Sequence, residues 1–181
     1  MSDLLVRAMV AEDLARLTAI FSQRQVLAMT MQVPFTTAAE RAARFGLSEH
    51  LRMLVAEVDG IVVGNGGLTL LTRRRAHVGT VGMAVDQAYQ GQGIGTALMA
   101  ALIDLADNWY NLRRVELEVY TNNEPGIRLY KRFGFVIEGT HRAYAYRDGA
   151  WADAYSMARL RDEPTLTKPD AVLDSSSDAT R

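Results

Sequence analysis

The segment Gln90-Gly91-Gln92-Gly93-Ile94-Gly95-Thr96 constrains this chain more than any other. It begins five residues after Met83-Ala84-Val85, the end of a run that reads as a strand, and passes directly into the helical stretch Ala97 to Trp109. A strand that turns into a helix through so many glycines brings bare backbone up to a helix N-terminus. The first-turn N–H groups have no intrahelical partners there, and the macrodipole adds roughly half a positive charge. Such a turn is an anion cradle, and a pyrophosphate fits it without a lysine.

The glycine spacing narrows the choice of anion. A dinucleotide fingerprint needs glycines at the first, third and sixth positions, but counted from Gly91 the sixth residue is Thr96, and no βα unit opens the chain. The NTPase phosphate loop, a glycine, four residues and then Gly-Lys-Ser/Thr, occurs nowhere. What remains is Gln-x-x-Gly-x-Gly, carried by Gln90, Gly93 and Gly95. On these residues the chain resembles the acetyl-CoA-binding signature of the GCN5-related N-acetyltransferases (GNAT). A strand-to-helix connection with no ligand is the alternative for the loop taken alone.

Downstream, Val115, Leu117 and Val119 alternate with Glu116, Glu118 and Tyr120 over Arg114 to Thr121, a strand with one buried face. In Asn122-Asn123-Glu124-Pro125-Gly126-Ile127-Arg128-Leu129-Tyr130-Lys131-Arg132-Phe133-Gly134-Phe135, Asn123 is placed to N-cap a short helix with Pro125 second, and Gly134 to close it in the left-handed region. This string is similar to the family's second signature, an Asn followed seven residues later by Tyr and then a terminal Gly-Phe.

The two motifs, in the family's order, imply an α+β GNAT fold: a mixed, mostly antiparallel central sheet of about six or seven strands with helices on both faces, splayed between the fourth and fifth strands. They also imply acetyl-CoA as cosubstrate. Gly91, Gln92, Gly93, Ile94, Gly95 and Thr96, led by Gln90, would hold the pyrophosphate. Main-chain groups around Met83, Ala84 and Val85 would bond the pantetheine amides as an added strand would. Asn123 is read as a helix cap and as a pantetheine contact, and Tyr130 as a cofactor-contacting residue as well.

Length and composition agree with this reading. A chain of 181 residues is sized for one domain, and 49% hydrophobic with 23% charged residues is ordinary for a globular protein. With 20 basic against 21 acidic side chains, bulk charge favours neither nucleic acid nor an anionic membrane, so a small-molecule amine is the expected partner. No cysteine is present, so acyl transfer has to be direct rather than through an acyl-thiol of the enzyme. The N-terminus has no basic segment ahead of a long apolar stretch, and no run nears the ~18 apolar residues of a span, so a cytoplasmic protein is expected. His50, His77 and His141 lack ligand spacing, and no metal is expected.

Along the chain, Leu4 to Met9 reads as a strand and Ala11 to Ser22 as an amphipathic helix, while Gln23 to Phe35 has no clean period. Thr37 and Glu40 form a capping box opening a helix through about Leu47. Leu51 to Val58, the Asp59-Gly60 turn and Ile61 to Leu71 form a hairpin, Arg73-Arg74-Arg75 reads as a solvated hairpin end, and a strand follows over Ala76 to Val85. Phe135 to Thr140 and Ala150 to Arg159 close the domain, which spans 1–160. The polar stretch 161–181, with Pro164, Pro169 and Asp174-Ser175-Ser176-Ser177-Asp178, reads as a disordered tail.

Acetyl transfer to an amine needs a held donor, a deprotonated amine and a proton for the departing thiolate. Tyr130 is the candidate general acid, since a phenol titrating near ~10 is protonated at neutral pH. Glu118 matches a position that in some family members holds the base, with Glu116 a lesser candidate. A carboxylate near ~4.3 is a weak base for an ammonium and needs burial or a water relay.

Met31-Gln32-Val33-Pro34, Asp107-Asn108-Trp109, Glu138-Gly139-Thr140 and the ending Asp153 to Arg159 extend the resemblance to the bacterial L-amino-acid N-acetyltransferases that accept phenylalanine and methionine. That branch carries a hydroxyl residue where this chain has Glu118, and the superfamily often has alanine at Gly126. The acceptor expected is therefore a free L-amino acid, with Met29, Met31 and Phe35, read either as core or as the apolar pocket, to receive its side chain and Arg142 as the carboxylate partner. Alternatives are phosphinothricin, protein N-termini, or a CoA-binding sensor without catalysis. A homodimer is compatible with this reading.

Overall fold

The computed structural model describes residues 3–45 and 48–161. The elements are β1 (Leu4–Ala8), α1 (Asp13–Phe21), α2 (Arg24–Met29), α3 (Ala38–Phe45), β2 (Leu51–Val58), β3 (Ile61–Leu70), β4 (Val78–Val85), α4 (Ile94–Asp104), β5 (Arg114–Tyr120), α5 (Glu124–Arg132), β6 (Val136–Arg147) and β7 (Ala150–Leu160). Seven strands form one sheet in the order β1-β2-β3-β4-β5-β7-β6. Every neighbouring pair is antiparallel except β4 and β5.

The period-two patterns divide the sheet into two faces. On one, Leu68, Val81, Leu117 and Val119 pack with Met99 and Leu102 of α4 and Tyr130 of α5. On the other, Val55, Val62 and Ala84 pack under Leu17, Ile20 and Phe21 of α1 and Val26 of α2. The α4 helix lies close on β3 because Gly64 and Gly66 present no side chain to it. A Cβ at Gly66 would come within 2.9 Å of Leu102 Cδ1, and one at Gly64 within 3.4 Å of Leu98 Cδ1.

The hairpin of β2 and β3 and the capping box stand where the sequence places them, with Thr37 N–H donating to Glu40 Oε2 (2.7 Å) and Glu40 N–H to Thr37 Oγ1 (3.2 Å). Gly134, at φ +85°, closes α5, and Asn123 caps it by accepting from Gly126 N–H (3.1 Å). Three expectations shift. Within Gln23 to Phe35 a short helix, α2, forms, and its six residues are too few to reveal a period. The helix after the glycine loop starts at Ile94, not Ala97, and ends in a wide π turn over Leu105–Trp109. The strand β6 runs on to Arg147, bulging between His141 and Ala145 where Ala143 adopts φ +50°. The polar tail from residue 162 and the end of the helix expected to reach Leu47 lie outside the described residues. No helix among the described residues is long and apolar enough to cross a membrane.

The N-terminal strand is tied to α1 by a buried carboxylate. Asp13 accepts from Arg7 Nη1 and Nη2 (2.8 and 2.9 Å) and from Val10 N–H (2.9 Å). The Arg7 hydrogen bonds, aided by Val10, hold its pKa below the usual carboxylate range against the opposing effect of burial. The contribution to stability is thus present above the unfolded pKa of ~3.9 and is lost as pH falls through the lower folded value. Asp13→Ala is expected to destabilise the protein by about 2 kcal/mol at neutral pH. In denaturant titrations the gap from wild type narrows below about pH 4.

Candidate active site

The turn after β4 is fixed before the glycines are reached. Asp86 is 3% exposed, accepts from Ala88 N–H (2.9 Å) and pairs with Arg16. Burial opposes its charge, but the hydrogen bonds from Ala88 and Gln23 and the Arg16 guanidinium outweigh it and hold its pKa below the ordinary range. Gln87 N–H donates to Gln23 Oε1 (2.9 Å), and Gln90 Nε2 reaches back to Val85 O (3.2 Å). The loop is clamped to the junction of α1 and α2.

Gly91 (φ +75°) and Gly93 (φ +87°) then take left-handed conformations, and Gly93 is the N-cap of α4. Ala97 N–H bonds to Gly93 O (3.0 Å), so the N–H groups of Ile94, Gly95 and Thr96 lie in the first turn without intrahelical acceptors. Gly95 is needed for space: a Cβ there would lie 3.3 Å from Leu129 Cδ2, 3.8 Å from Met83 Sδ and 4.0 Å from Val85 Cγ2.

Beside this cradle the sheet opens. The β4–β5 pairing covers only Val78↔Arg114, Gly79↔Val115 and Thr80↔Glu116, although both strands continue. Asp86 N–H donates to Val63 O, so by antiparallel alternation Ala84 and Gly82 turn their main-chain groups to β3. Met83 and Val85 turn theirs the other way, into the gap. Ala84 contributes its methyl to the core beneath α1 instead.

Two cavities meet at the gap. The larger, of 670 Å³, is lined by Met83, Ala84, Val85, Gln90, Gly91, Gly93, Ile94, Gly95, Thr96, Asn123 and Tyr130, with Arg128 and Arg132 of α5. The smaller, of 390 Å³, lies against the α1 face, floored by Asn65, Gly67 and Thr69 of β3 and Thr80 and Gly82 of β4. Its walls include Phe21, Met29, Met31, Phe45, Met53, Tyr120 and Tyr144, and Glu118 is its one carboxylate. No lysine or arginine lines it among the described residues. Met29, Thr30, Met83, Asn123 and Tyr130 border both cavities.

Tyr130 is buried at this junction, and burial pushes its phenol up to about 12. Glu118 is exposed at the mouth of the smaller cavity, and burial followed by the Glu118 charge raises the pKa of Tyr144 beside it. Asn123 folds over Gly126, where a Cβ would meet its Nδ2 at 2.9 Å, which explains a glycine at that helix position.

The structure brings together Tyr130, Glu118 and the residues read for the cofactor, apart from the Gln92 side chain, which turns outward to bond Ala88 O (3.1 Å). Several secondary expectations fall. Glu116 is held by Arg75 (2.6 Å) and Arg114 (2.5 Å). Phe35 is 98% exposed and lines neither cavity, whereas Phe21 and Phe45 supply the aromatic wall. Arg142 and His141 lie exposed on the edge strand β6, outside both linings. The sequence reading missed Arg128 and Arg132, whose i,i+4 spacing on α5 was the available signal. Arg132 also donates to Thr96 Oγ1 (3.2 Å) at the helix N-terminus.

This architecture is that of an acyltransferase, and residues 20–135 match the Acetyltransferase (GNAT) family. The chain belongs to that family and is an N-acetyltransferase. It is 38% identical over 162 residues to the L-amino acid N-acetyltransferase AaaT of Escherichia coli (strain K12), covering 89% of this chain and all of that protein (100%). It is 38% identical over 121 residues to the N-alpha-acetyltransferase RimI of Mycobacterium tuberculosis, covering 65% of this chain and 72% of that one. The fold is also that of yncA from Salmonella typhimurium, solved with its cofactor acetyl-CoA, at TM-score 0.78 and 24% identity over 93% of this chain and 98% of that one.

Gly95→Val, which fills the contact between α4, Leu129 and β4, is expected to weaken acetyl-CoA binding at least tenfold, roughly 1.4 kcal/mol. Unchanged affinity in a calorimetric titration would remove the first turn of α4 from the cofactor site.

Proposed function

We propose that the protein transfers the acetyl group of acetyl-CoA directly to the α-amine of a small acceptor, a free L-amino acid with an apolar side chain. The observation that carries this reading is the meeting of the two cavities at Met83, Asn123 and Tyr130. One cavity ends in a left-handed glycine turn and an unpaired helix N-terminus suited to a pyrophosphate. The other is apolar with a single carboxylate.

Acetyl-CoA supplies the activated thioester. Met83 and Val85 offer main-chain donors and acceptors along the gap, and Arg128 and Arg132 face the phosphate end. Tyr130, shared by both cavities and protonated at any physiological pH, delivers the proton that the departing sulfur takes. Glu118, open to solvent, accepts the proton from the ammonium through water, so the amine arrives with its lone pair free. Met29, Met31 and Met53 supply an adaptable surface for an apolar side chain.

One observation favours a second reading. With no basic side chain lining the acceptor cavity among the described residues, an α-carboxylate finds no guanidinium there, which suits an amide or a peptide N-terminus. A screen of free amino acids, their amides and short peptides, following thiol release, separates the two. Faster reaction of methionine or phenylalanine than of the matching amides supports the amino-acid reading. The reverse order moves the acceptor to N-termini.

Tyr130→Phe removes a hydroxyl that hydrogen-bonds no described residue, so acetyl-CoA affinity and melting temperature are expected to stay near wild type. Turnover falls on the order of 10²-fold. In wild type no alkaline limb from this phenol is expected below about pH 10, because burial keeps it protonated. Wild-type turnover in the variant would end the acid role.

A further inference from the structure

Four polar or charged side chains are buried among the described residues: Asp13, Arg41, Asn65 and Asp86. Asp13 is gripped by Arg7, Asp86 by Arg16, and Arg41 donates to Gln32 Oε1 (2.8 Å). Asn65 differs. It sits mid-strand in β3, opposite Val55 on one side and Ala84 on the other, where asparagine is disfavoured. It is 3% exposed, and its Oδ1 is buried with no hydrogen-bond partner.

A desolvated carbonyl without a donor weakens a fold, and native proteins keep few of them. This one is held within the sheet between β2 and β4, with its side chain on the face of Gly67 and Thr69, lining the smaller cavity. The small residues around it leave that floor open. We propose that Asn65 is an acceptor-binding residue that sets selectivity, its side-chain carbonyl taking a hydrogen bond from an N–H of the acceptor molecule. The inference rests on the acetyl-transfer reading only in taking this cavity as the acceptor's.

The chemistry of the partner follows from the atom left unpaired. An oxygen acceptor is satisfied by a donor, so an amine, a carboxamide or a peptide N–H fits the carbonyl of Asn65. Glu118, across the sheet on β5, is an acceptor too. The cavity therefore presents hydrogen-bond acceptors at both its β3 and β5 sides, where an amine-bearing ligand finds partners.

The test uses Asn65→Leu, close in volume, and Asn65→Ala, which adds no bulk, on the full chain with methionine, methioninamide and a methionyl dipeptide as acceptors. For the acceptor that wild type uses best, both variants are expected to raise KM at least about tenfold while the KM for acetyl-CoA stays within about twofold. The melting temperature of Asn65→Leu is expected to equal or exceed that of wild type, because an orphaned polar group has been removed. An unchanged acceptor KM would overturn the proposal. So would a fall in melting temperature with both KM values intact, which would make the amide a structural residue. If wild type acetylates none of the three acceptors, the acetyl-transfer reading fails for them, and the melting comparison still judges Asn65: a drop refutes its ligand role and a rise upholds it.

Discussion

The parting of β4 from β5 after three paired residues is the constraint on which the rest depends. A parallel pair in the middle of a sheet ordinarily bonds along its whole length, since backbone groups left unpaired in a desolvated place are costly. Here β5 keeps full pairing with β7 from Arg114 to Tyr120, and β4 keeps β3 from Gly79 to Val85. The loss includes groups that Met83 and Val85 turn into the gap, where Val85 O accepts from Gln90 Nε2 (3.2 Å). An extended chain of amides entering there finds the partners that β5 gives up, as in strand addition.

What keeps the gap open is packing on both sides of it. On one face α5, capped by Asn123 and closed at Gly134, drives Tyr130 into the core with Phe135, their ring centroids 6.1 Å apart, and so fills the space a closing β5 would take. On the other, Tyr120 sends its hydroxyl to Met31 Sδ (3.2 Å), holding the segment after α2 above the sheet. The glycine turn is anchored from the same side, through Arg16, Gln23 and Asp86. One set of contacts therefore positions both the anion cradle and the roof of the acceptor cavity.

The glycine turn and the α5 half of the candidate site were legible because their requirements are local. Left-handed φ at Gly91 and Gly93, a cap at Asn123 and a left-handed stop at Gly134 each leave a mark in the residue type itself. The helix start was misplaced by three residues because Gly95 argues against a helix by propensity, yet it is inside the first turn, where close approach outweighs that preference. The half of the site around the smaller cavity was less legible because it is assembled from residues of five strands and four helices. Phe35 reads as pocket while Phe21 and Phe45 carry no mark of one, since nothing local distinguishes an aromatic that lines a cavity from one that reaches solvent. Asn65 carried a signal, a polar residue inside an apolar strand pattern, but its unpaired state exists only in three dimensions.

The placement of the titrating groups bears on which amines this site can use. Tyr130 is buried and its proton is tightly held, while Glu118 faces solvent. In the proposed mechanism the ammonium has to lose its proton through water to a solvent-exposed carboxylate, a demanding step. An amine that is partly deprotonated before it arrives compensates for this. An α-amino group of a peptide loses its proton near ~7.7–8.0, whereas a lysine-type amine holds it to ~10.4 and would be almost wholly charged at neutral pH. A carboxylate beside the amine tightens its hold on the proton, and an amide in that place loosens it. On the proposed reading, α-amines are therefore favoured over side-chain amines. The unpaired carbonyl of Asn65 then acts on the neutral amine or on an adjacent N–H, orienting an acceptor that the exposed Glu118 cannot orient alone.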